Sequence, residues 1–89
     1  MLVEYINRAL RKAKYEMLED GTYFGTVPGL RGVLANAKTL EACRDELVEV
    51  IEGWVLVRVA NGLAVPPMDG VRIDVKAMRP KKTAVKTVA

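Results

Sequence analysis

The sequence predicts an α+β domain: an N-terminal helix, a three-stranded antiparallel meander, a long helix and a fourth strand. Three observations predict it. Apolar residues recur every three or four positions over 2–13 and 40–60, the period of an amphipathic helix. Short alternating runs between them are broken by Asp20-Gly21 and Pro28-Gly29, which are turn signals. A last alternating run, 71–77, follows the break at Pro66-Pro67.

The first helix spans 2–13. Leu2, Ile6, Ala9 and Ala13, with Val3 and Leu10 beside them, form its apolar stripe. Arg8, Arg11 and Lys12 lie towards its C-terminus, where they complement the helix dipole. Strands are expected over 14–19, 22–27 and 33–37. Asp20-Gly21 reads as a hairpin turn in which both residues take positive φ. Pro28, Gly29 and Gly32 bend the chain before the third strand.

Thr39 is a suitable N-cap for the helix over 40–60. Leu40, Cys43, Leu47, Val50, Trp54 and Val57 step by three and four and form its expected core face. A second apolar edge runs through Val48, Ile51, Val55 and Val59. The C-terminal half is therefore apolar around more than one stripe, which one sheet cannot cover. Ile51, Trp54, Val55 and Val59 are accordingly candidates for the core or for an oligomer contact. Asn61-Gly62 ends the helix. Domain limits follow: 1–77 is the folded body and 78–89 a basic, disordered tail.

An 89-residue chain with 51% hydrophobic residues carries more apolar surface than a small body hides. A homo-oligomer, dimer or tetramer, is expected. The net charge of +3 divides unevenly. Residues 1–75 hold nine basic and eleven acidic side chains, for a charge of −2, and Lys76, Arg79, Lys81, Lys82 and Lys86 bring +5 to the end. A basic tail on an acidic body suits either solvation or nucleic-acid contact. The single cysteine, Cys43, excludes an intrachain disulfide, and the cytoplasm is the expected compartment. The charged N-terminus lacks a signal-peptide core. The longest apolar run is cut by Arg58 and Asn61, so no membrane span is expected.

The chain has no histidine and no serine. That removes a histidine base, a Ser-His triad and a histidine-ligated metal. Cys43 lies on the apolar side of its helix with no histidine to activate it. The glycines match no dinucleotide or phosphate-loop pattern. No catalytic, cofactor-binding or metal-ligating residue is expected, and the chain is read as a binding protein rather than an enzyme. Glu41, Asp45, Glu49 and Glu52 lie three or four apart on one helix face. They are either a solvated row or the docking face for a basic protein. Tyr23 and Phe24 are strand neighbours and face opposite sides, so one looks away from the helix-covered face. Both are candidate partner contacts. Trp54 is either core or an interface anchor.

The segments YFGTVPGLRGVLA, TLEACRDEL, IEGW and GLAVPP together resemble the HicB antitoxin family over roughly residues 14–70. The most specific part is Pro28-x-Leu30-x-Gly32 followed by Thr39-Leu40-Glu41. The helix that precedes the first strand resembles a compact subgroup of short HicB-like proteins. The resemblance implies a partial RNase H-like fold without RNase H activity. It also implies a partner: a HicA-type toxin, a small basic ribonuclease that the antitoxin binds and occludes. Two departures accompany it. Many family members begin directly with the first strand, and many carry a C-terminal DNA-binding domain for which 78–89 is too short. The alternative is a stand-alone oligomeric nucleic-acid-binding regulator that uses Arg79, Lys81, Lys82 and Lys86.

Overall fold

The computed structural model describes residues 2–73. Its elements are α1 (Leu2–Arg11), β1 (Lys14–Met17), β2 (Tyr23–Thr26), β3 (Leu34–Ala37) and α2 (Leu40–Ala60). The strands form one antiparallel sheet in the order β1-β2-β3, with Tyr15 opposite Gly25 and Gly25 opposite Ala35. α2 packs on β2 and β3, and α1 packs on α2. The fold is therefore α+β, with a helix–meander–helix order.

The β1–β2 connection differs from the expected two-residue turn. Leu18 N donates to Thr22 O at 2.8 Å and Gly21 N to Leu18 O at 2.9 Å, which makes Glu19, Asp20 and Gly21 a three-residue loop. Gly21 has φ +84° and Asp20 does not share a positive φ. The local contacts fit this: Asp20 Oδ1 accepts from Thr22 N at 2.9 Å and from Thr22 Oγ1 at 2.6 Å, the bond of an Asx turn to the amide two residues on.

The corner between β2 and β3 is two turns in succession. Leu30 N donates to Val27 O at 3.1 Å and Val33 N to Leu30 O at 3.2 Å. Gly29 (φ +92°) and Gly32 (φ +86°) occupy the third position of each turn, which a type II turn reserves for positive φ. Val27, Leu30 and Val33 are all buried. Every third residue thus pins the corner to the core.

Helix α2 is closed at both ends. Thr39 Oγ1 accepts from Ala42 N at 3.0 Å. At the other end, Leu63 N donates to Arg58 O at 2.8 Å and Gly62 N to Val59 O at 3.1 Å, the paired bonds of a Schellman cap. The buried row is Cys43, Leu47, Ile51, Val55 and Val59. This corrects the expected core face. Leu40 and Val57 are 48% and 60% exposed, and Val50 and Trp54 are half-buried. A step of four rotates the row by about 40° each time. The row therefore winds around a helix that must meet both a sheet and α1. Ile51, Val55 and Val59, candidates for core or oligomer contact, belong to the core.

Helix α1 buries Tyr5, Ile6, Ala9 and Leu10. Val3, placed in the stripe from sequence, is 71% exposed. Tyr5 replaces it because its hydroxyl has a polar partner inside: it donates to the carbonyl of Pro66. Lys12 also reaches Asp69 at 2.9 Å. Asp69 (φ +47°) and Gly70 (φ +81°) form the two-residue turn expected at Asp20-Gly21, closed by reciprocal bonds between Met68 and Val71 of 3.0 and 2.8 Å. Val71 forms only this isolated bridge. Residues 71–73 therefore hold no part of the expected fourth strand as a ladder. The remainder of that strand, 74–77, and the tail, 78–89, lie outside the described residues.

Candidate functional site

The acidic residues singled out from sequence are all exposed along α2. Glu41, Asp45 and Glu49 recur at the same step of four as the buried row Cys43, Leu47 and Ile51. The two rows wind together, so the carboxylates stay on the side away from the sheet. Glu52 breaks the step and sits to one flank. Among the described residues the only salt bridge is Lys12–Asp69, so none of the four carboxylates is paired with a described cation. Arg58, farther along α2, is engaged elsewhere. Its Nε donates to Ala64 O at 2.6 Å and its guanidinium lies 5.0 Å from the centroid of the Trp54 ring.

Tyr23 and Phe24 do not join this surface. A Cβ on Gly25 would point at Cys43 and Leu47 of α2, so Gly25 and its alternate neighbour Tyr23 face the helix. Tyr23 packs against the core there. Phe24 takes the opposite face of the sheet, in a row with Glu16 and Asn36. Asn36 Nδ2 donates to Thr22 Oγ1 at 2.9 Å and to Tyr23 O at 3.0 Å, and so ties β3 to the start of β2. The acidic row and Phe24 lie on opposite sides of the molecule.

A second feature of α2 is an open apolar groove of about 490 Å³, lined by Glu49, Val50, Gly53, Trp54, Val57, Arg58 and Leu63. Trp54 is neither wholly core nor wholly surface. Its Nε1 donates to Arg31 O at 3.1 Å, which fixes the ring against the glycine corner while one edge lines the groove. The wide apolar girth of this helix half is legible in the sequence; the groove is not. The spacing of Val50, Gly53, Trp54 and Val57, with a glycine in mid-helix, was the available signal.

Cys43 is buried, with Sγ 3.7 Å from Ala35 O. Burial, with some help from the nearby Glu46 charge, pushes its thiol pKa up, away from the thiolate that nucleophilic chemistry uses. Among the described residues no cluster of three or more His, Cys, Asp or Glu side chains is placed to hold a metal ion. No described helix is long and apolar enough to cross a membrane. Arg79, Lys81, Lys82 and Lys86 lie outside the described residues.

The fold defines a small α+β protein whose exposed features are a carboxylate row and an apolar groove on one helix. Residues 4–66 match the model of the UPF0150-like family, and the chain belongs to that family. It is similar to the crystal structure of TTHA0281 from Thermus thermophilus, with 36% identity and a TM-score of 0.77 over 82% of this chain and 91% of that one. No curated protein matches the chain.

Proposed function

We propose that the chain is a HicB-like antitoxin that binds a small basic HicA-type ribonuclease and covers its RNA path. The observation that carries this reading is the line of exposed carboxylates, Glu41, Asp45 and Glu49, on the outward side of α2 and unpaired with described cations. Such a line gives a directional negative potential. That potential speeds encounter with a basic surface and disfavours acidic competitors. The exposed Leu40, beside Glu41, and Leu56, one turn beyond Glu52, offer apolar contact at either end of the row. Family membership and the sequence motifs 23–35 and 39–47 support the same reading.

The mechanism is steric and electrostatic. Carboxylates occupy the cationic groups that would hold RNA phosphates, and the bulk of α2 and its sheet keeps the strand out. No bond is made or broken by the antitoxin. Its setting is the cytoplasm, where Cys43 stays reduced. Mixing the purified full chain with a small basic HicA-type ribonuclease tests the reading. A complex that co-elutes in size-exclusion chromatography and dissociates as salt rises is expected. Separate elution at low salt contradicts it.

A further inference from the structure

The geometry points to a self-association site: the groove on α2 takes the α2 groove of a second copy of this chain, in antiparallel orientation about a two-fold axis near Gly53 and Trp54. The groove lies between two ridges of side chains. One runs Glu49, Gly53, Val57 and the other Val50, Trp54, Arg58, each in steps of four. Ridges of this kind interlock when two helices cross. In an antiparallel pair centred between Gly53 and Trp54, each residue meets the one as far on the other side of the centre. Val50 then meets Val57, Trp54 meets Gly53, and Glu49 meets Arg58.

Each of these pairs is complementary. Val50 and Val57 are apolar, and Val57 is 60% exposed in the single chain. Gly53 leaves a gap in its ridge: a Cβ built there has nothing within 4 Å. The Trp54 ring opposite is a knob of suitable size, held in place by Arg31 O and stacked on Arg58. Arg58 uses Nε internally, which leaves its terminal nitrogens for the carboxylate of Glu49 from the other copy. A contact in which the same patch serves both partners must match itself under the two-fold, and this one does in size, polarity and charge. The exposed Leu63 extends the apolar floor at each end. The same glycine that weakens a helix interior here permits close approach of two helices.

This assignment separates the two halves of the acidic row. Glu41 and Asp45 lie outside the groove and stay available to a basic partner, whereas Glu49 is used between copies. Failure of the self-association site would therefore leave the toxin-docking reading standing.

The test is the mass of the full chain in solution by light scattering or sedimentation, for the native sequence and for Gly53→Gln and Glu49→Arg. Both positions are exposed and neither substitution touches the core, so circular dichroism should keep its helical signal. The native chain is expected to be a dimer, or a tetramer that the variants reduce by half. Gly53→Gln fills the gap and Glu49→Arg faces a like charge, and each should weaken association at least tenfold. A Gly53→Cys variant should form a disulfide-linked dimer on mild oxidation, because the two copies of that position lie beside the axis. The native chain, with only the buried Cys43, should not. A native monomer at high micromolar concentration, an oligomer unchanged in both surface variants, or a Gly53→Cys variant that fails to cross-link would overturn the assignment.

Discussion

A Cβ placed on Gly25 would stand 3.0 Å from Sγ of Cys43, and equally close to Cδ1 of Leu47. The middle of β2 and the first half of α2 are thus in contact through a missing side chain. Gly25→Ala should force α2 away from the sheet and cost about 1–3 kcal/mol, the usual range for overpacking. Urea denaturation should show a lower midpoint. Gly53→Ala, on the same helix but facing open space, should instead stabilise a dilute sample by about 0.5–1 kcal/mol through helix propensity.

Tyr5 links α1 to the segment after α2 through its bond to the Pro66 carbonyl. Tyr5→Phe should cost about 0.5–1.5 kcal/mol, the usual net value of one hydrogen bond. Burial pushes the Tyr5 hydroxyl pKa up, and the nearby Arg58 charge partly offsets this. The folded state therefore favours the protonated phenol. Its contribution is intact below the ordinary tyrosine value of about 10 and is lost as pH rises through the higher folded value. Stability measured against pH should fall on the alkaline side in the native chain, and less steeply in Tyr5→Phe.

Cys43 should be silent towards thiol reagents. It is fully buried and its pKa is raised by burial first and by Glu46 second. A chromogenic disulfide reagent at neutral pH should detect no thiol in the folded chain and one per chain in denaturant. Fast labelling without denaturant would mean that α2 lifts readily from the sheet.

The start of α2 depends on Thr39, whose hydroxyl oxygen accepts from Ala42 N at 3.0 Å. Thr39→Ala should cost about 1 kcal/mol, while Thr39→Ser or Thr39→Asp should retain most of the stability. The midpoint of thermal unfolding followed by circular dichroism distinguishes them. Because Glu41 sits in the same first turn, loss of this cap should also weaken binding to a basic partner.

The five elements and their order were legible in the sequence because each carries its own period and its own stop signals. The cap at Thr39, the glycine corner and the close of α2 at Asn61-Gly62 follow from local chemistry. What was not legible depends on long-range packing. The winding of the buried row to Ile51, Val55 and Val59 reflects a helix shared between a sheet and α1, which no window of sequence contains. Asp20-Gly21 and Asp69-Gly70 present the same dipeptide, yet only the second has both residues at positive φ. The surroundings differ: the amide and hydroxyl of Thr22 engage Asp20, whereas Lys12 reaches Asp69 from α1. Of the candidate site, the exposed carboxylate row was readable from helical spacing alone. The placement of Phe24 on the far face of the sheet required the register of β2 against β3.

Titration of a small basic HicA-type ribonuclease with the full chain, followed by RNA cleavage, is the most direct test of the antitoxin reading. Cleavage should fall to background near one chain per toxin, and Glu41→Lys with Asp45→Lys should raise the amount required at least tenfold without changing the fold. Undiminished cleavage at stoichiometric excess of the native chain would contradict the account.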